Sequence, residues 1–155
     1  MADTIRKQIL QKIAERLENM VPDDPNEDDY RVEFSVVSIG PLGEPDNKKR
    51  YRAGVVPGQE RKKNLYPLVE CSLVVDIEFQ MTVNRGDEVP AMEAETVIGD
   101  IQRHLLTYRK IDGLAVDLRE NGNEVQLDDP NDKTVEGLVQ FVVVYRHAID
   151  DPRKC

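Results

Sequence analysis

The stretch Glu70–Val83, ECSLVVDIEFQMTV, restricts the possible folds more than any other part of the chain. Cys71, Leu73, Val75, Ile77, Phe79, Met81 and Val83 fall on one side of it. Glu70, Ser72, Val74, Asp76, Glu78, Gln80 and Thr82 fall on the other, and only Val74 among them is apolar. Successive side chains of a strand point to opposite faces, so this alternation predicts a strand with one buried face and one polar face. Strands usually run about five or six residues. These fourteen residues, at ~3.3 Å each, would reach about 46 Å, further than a small core needs.

The flanking patterns supply the rest of a domain. Ile5, Ile9, Ile13 and Leu17, with Leu10 and Met20, form an apolar stripe that predicts a helix over 4–20, capped by Asp3 or Thr4 and stopped by Pro22 and Pro25. Residues 31–39 read as a strand. Pro90 suits a first helical turn, and Ala94, Val97, Ile98, Ile101 and Leu105 continue that helix to about Thr107. The segment DGLAVDLRENGNEVQLDD reads as a hairpin around Asn121-Gly122, a strong turn signal. Residues 134–147 read as a final strand, apolar on both faces at its centre and therefore central in the sheet. Strands cluster instead of alternating strictly with helices. The expectation is one α+β domain over 1–155, with a mainly antiparallel sheet, two helices packed on one face and a long extended arm.

That arm is the segment at about 41–67, with four prolines and three glycines. It reads as a connection with little regular structure and a short hairpin, and such connections are usually functional or mobile. One third of all Lys and Arg fall within it: Lys48, Lys49, Arg50, Arg52, Arg61, Lys62 and Lys63. The loop before the first strand is acidic, with Asp23, Asp24, Asp28 and Asp29. A basic arm on one copy and an acidic loop on the next are complementary, and unlike patches meeting head to tail close into a ring when the rotation permits. Glu70, Asp76, Glu78, Asp128 and Asp129 are candidates for a channel wall or subunit seam.

Chemistry has little footing in this chain. No phosphate loop, metal-spaced histidine pair or nucleophile elbow is present, so no catalytic residue, metal or cofactor is expected. His104 and His147 read as boundary or surface residues, and Cys71 as a small core hydrophobe. The paired aspartates read as solvated loop charge, with a divalent-ion site as the minor alternative. A net charge of −9 argues against a dedicated nucleic-acid binder. The longest apolar run is Phe141–Tyr145, and the N-terminus is charged, so neither a membrane span nor a signal peptide is expected.

From about residue 66 to 153 the chain resembles the tail terminator proteins of long-tailed bacteriophages, also called tail completion or tail-to-head joining proteins. The resemblance lies in LVECSLVVDIEFQMTV, the helix AMEAETVIGDIQRHLLTYRK, the segment IDGLAVDLRENGNEV and the closing VEGLVQFVVVYRHAIDDP. The helix at 4–20 fits the family's opening helix. The resemblance implies a structural virion protein: a homohexameric ring on the head-proximal end of the tail tube. That ring stops tube growth and joins tail to neck or head. Its implied partners are its own copies, the tube protein, a neck or head-completion protein and, in a contractile tail, the sheath. DNA would pass through without tight binding. The protein would assemble in the host cytoplasm and end in the virion. Two other readings stand beside this one: a neck or head-completion adaptor ring, and a small cytosolic enzyme without a recognisable motif.

Overall fold

The computed structural model describes residues 2–22, 30–44, 50–83, 89–127 and 134–155. Helix α1 runs Ile5–Glu18, with the Thr4 hydroxyl accepting from the Lys7 amide at 3.2 Å. Strands β1 (Val36–Ile39), β2 (Tyr51–Leu65) and β3 (Leu68–Thr82) follow, then helix α2 (Pro90–Leu106) and strands β4 (Asp117–Gln126) and β5 (Thr134–Ala148). The five strands form one sheet in the order β1-β2-β3-β5-β4. Only β1 pairs in parallel, with β2; every other neighbour is antiparallel. The chain is α+β, with a largely antiparallel sheet.

The alternation in β3 is realised up to Phe79; beyond it Gln80 and Thr82 of the polar face are buried as well. Cys71, Leu73, Val75, Ile77, Phe79 and Met81 are buried, and the cross-strand register places Tyr145, Val143, Phe141, Val139, Gly137 and Val135 of β5 on the same face. The apolar stripes of α1 and α2 pack on that face in one continuous cluster, and the helices also touch each other. Fully burying each large aliphatic or aromatic side chain contributes about 1.5–3 kcal/mol before entropy is counted. The opposite face of the sheet carries no described helix. As expected, β5 is an inner strand, between β3 and β4.

Three segments differ from the sequence reading. Residues 31–39 form a strand only from Val36, because the amides of Arg31 and Val32 bond to Oδ2 of Asp100 on α2, at 2.8 and 3.0 Å. Val32 and Phe34 still reach the core from this non-strand stretch. The 41–67 arm is more regular than expected: residues 51–65 are a full strand laid along β3. Finally, Asn121-Gly122 makes no turn. β4 runs straight through it, and the pairing with β5 shifts by one residue between Glu120 and Gly122. The long partner strand offers a continuous ladder, and a bulge absorbs the extra residue. β4 and β5 are antiparallel, so the chain reverses between Gln126 and Thr134; the positive φ values of 48, 54 and 86° at Ile111, Asp112 and Gly113 belong to the connection from α2 into β4.

Candidate assembly surfaces

The five described basic residues of this segment do not form one patch. Arg50 lies over the Tyr51 ring, and Arg52 bonds to Gln80 Oε1 at 2.7 Å and to the Glu44 carbonyl at 3.1 Å. Arg61, Lys62 and Lys63 lie nine to eleven residues further along β2, so roughly 30 Å away at strand rise. Lys48 and Lys49 lie outside the described residues, as do Asp23, Asp24, Asp28, Asp29, Asp128 and Asp129.

The three carboxylates of β3 sit on the helix-free face, and each is held by the chain itself. Glu70 pairs with Arg146 at 2.9 Å, Asp76 accepts from Gln140 Nε2 at 2.8 Å, and Glu78 accepts from the Leu42 amide at 3.0 Å. The half-exposed Glu70–Arg146 pair adds at most about 1 kcal/mol. Near Glu78 the face opens into a cleft of about 180 Å³. Leu42, Leu138 and the strand backbone at Phe79 and Gly137 line it, with Glu78, Glu124 and Glu136 around them. Glu136 accepts from Gln80 Nε2 at 3.2 Å, whereas Glu124 has no partner among the described residues. The loop at 40–44 roofs one side of the cleft. A Cβ on Gly54 would lie 2.7 Å from the Gly40 carbonyl oxygen, so glycine lets that loop cross closely over β2.

The other end of the β2–β3 hairpin is an exposed tip. Leu65 is paired with Leu68, and Tyr66 between them is 85% exposed. Arg61, Lys63 and Arg146 share the helix-free face near this end with Glu70, which Arg146 pairs, and Asp117, which Arg109 pairs. The sequence places the basic residues on one irregular arm offered as an assembly contact, and does not single out Tyr66. A four-residue turn containing Tyr66-Pro67 between two alternating segments was the available signal.

On the core side, β2 carries a polar cluster that the sequence did not reveal. Glu60 accepts a short hydrogen bond from the Tyr145 hydroxyl and another from Arg6 at 3.2 Å, with Lys62 at 3.6 Å. It ties α1 to two strands. Cys71 lies beneath Tyr145, and burial pushes its thiol pKa up. Burial and then the Glu60 carboxylate push the Tyr145 phenol up as well. Both groups are therefore protonated at neutral pH, unsuited to nucleophilic attack. Among the described residues no group of three His, Cys, Asp or Glu could hold a metal ion, and no helix is long and apolar enough to cross a membrane.

Neither histidine is at the surface. His147 is 8% exposed and its Nδ1 lies 2.7 Å from the Ala148 carbonyl. His104 is 6% exposed, lies edge-on to Tyr30 and donates through Nε2 to the Arg16 carbonyl at 2.6 Å. Its Nδ1 is buried without a partner, so a second ring proton would have no acceptor. Burial, with a smaller contribution from the Arg16 and Arg103 charges, lowers its pKa below the ordinary 6.5. The unfolded chain then takes up a proton that the folded chain does not. Stability from this group is complete above pH 6.5 and falls as pH drops below it, by up to about 1.4 kcal/mol per pH unit. Asp151, held at about 2 chiefly by Arg153, and Asp117, lowered by Arg109, titrate at more acid pH. Urea midpoints at about pH 7.5 and 5.5 should therefore differ, and His104→Gln, which keeps a donor for the Arg16 carbonyl, should narrow the gap. Equal gaps in the two proteins would remove His104 as the cause.

No family model matches this chain, and no curated protein matches it.

Proposed function

We propose that the protein is a structural virion component: a ring, most simply of six copies, that caps the head-proximal end of a phage tail tube and joins it to the neck or head. The observation that carries this reading is the helix-free sheet face. It is built from strands of fifteen residues, longer than the helices can cover, and it bears opposite charge at its two ends. A head-to-tail contact between unlike ends is what ring closure requires. The resemblance of residues 66–153 to tail terminators supports the same assignment.

Adding the purified protein to polymerising tube subunits should arrest growth at one end, with a ring visible there by electron microscopy. Continued elongation, or binding to the portal or neck in preference to the tube, would move the protein to another layer of the particle.

A further inference from the structure

We infer that the tip of the β2–β3 hairpin of one copy docks into the Leu42–Glu78–Glu124–Leu138 cleft of a second copy. This rests on the ring reading above, and it names the two surfaces that meet. Tip and cleft lie on one helix-free face, about ten residues apart along β3, or roughly 33 Å. Among the described residues, Arg61, Lys63 and Arg146 outnumber Glu70 at the tip, where Asp117 is taken by Arg109, and Glu78, Glu124 and Glu136 outnumber Arg52 at the cleft. Arg61, Lys63 and Glu124 form no ion pair with any described residue, so none of the described charges neutralises them. The apolar parts also match. Tyr66 and Leu65 project from the tip, and Leu42 and Leu138 line the cleft.

An aromatic anchor entering a pocket ringed by charge is the usual form of an interface hot spot. A tyrosine buries about 150–250 Å² of its own surface, far below the ~1,000 Å² of a stable interface. The contact is thus an anchor that needs flanking surface, which the uncovered face around Val56, Val74 and Val142 supplies. Because tip and cleft are different patches, a pair of copies leaves one of each unfilled, and addition continues until the ring closes.

The test uses the full chain with Cys155→Ser, so that buried Cys71 is the remaining native thiol. One preparation carries Leu65→Cys, which keeps the Tyr66 anchor, and a second carries Gln126→Cys at the rim of the cleft. Mixed and mildly oxidised, they should give a disulfide-linked pair that neither gives alone. Adding Lys63→Glu to the first or Glu124→Lys to the second should lower the yield about tenfold, and combining both reversals should restore it. No mixed cross-link at any concentration, or a yield indifferent to the reversals, overturns the inference. The outcome is separable from the function assay. Reversed variants that still cap tubes would leave the ring reading standing, and efficient cross-linking without capping would leave the tip-to-cleft contact standing.

Discussion

Gly137→Val should cost about 3 kcal/mol or more, the upper range for overpacking a well-filled site. A Cβ at position 137 would lie 2.5 Å from Cζ of Phe79 and 2.7 Å from the Glu124 carbonyl oxygen. The first clash could be relieved only by moving a ring that is 1% exposed in the core; the second is against backbone. Valine is otherwise a good strand residue, so local propensity and packing oppose each other here, and packing wins by its size. Gly99 on α2 is the control: nothing lies within 4 Å of its added Cβ. Gly99→Ala should stabilise by roughly 0.5–1 kcal/mol through helix propensity. Urea denaturation of both variants checks the pair. A Gly137→Val midpoint close to that of the wild type would mean that β3, β5 and β4 are less tightly packed at this row than described.

The second large effect is at Cys71, which is fully buried between Lys62 of β2 and Tyr145 of β5 in the register. Cys71→Ala removes one sulfur atom and should cost about 1 kcal/mol. Cys71→Asp places a carboxylate in the same space, beside Glu60. Burying an uncompensated charge costs several kcal/mol, comparable with the 5–15 kcal/mol that holds a typical domain together. Circular dichroism and thermal melts should find the alanine variant folded and the aspartate variant largely unfolded. A well-folded aspartate variant would mean that β3 presents its other face to the helices.

These effects were within reach of the sequence where the information is local. The faces of β3 and the stripes of the two helices are set by neighbours two, three or four residues apart, and they appear where expected. The basic segment was misread because Gly54, Pro57 and Gly58 look like loop punctuation. Gly54 instead admits the Gly40 carbonyl, while Pro57 lies past Val55, the last residue with a β1 partner, where β2 has become an edge strand that tolerates proline. Asn121-Gly122 failed as a turn because the partner that straightens it, β5, lies well downstream. The same limit hid the site features. Tyr145 and Glu60 are 85 residues apart, and Arg16 and His104 are 88 apart, so neither pairing leaves a mark in any local window. The charge on the open face was visible residue by residue, but its division into two ends required the strand register.

The order β1-β2-β3-β5-β4 has a consequence for how the molecule comes into being. β2 and β3 are joined by a tight connection, whereas Thr82 and Thr134, paired at the end of β3 and the start of β5, have 51 residues between them. Closing the longer segment costs roughly 3 kcal/mol more in chain entropy than closing a two-residue one, so the hairpin forms early and the central pairing late. On the ribosome, β5 emerges after every other strand. Until it does, the second edge of β3 is bare, and the run LVVDIEF lacks the aromatic and valine side chains that later cover its flank. The longest stretch of alternating strand is, for that interval, the segment most open to pairing with the wrong chain, so slower docking of β5 should mean more aggregation.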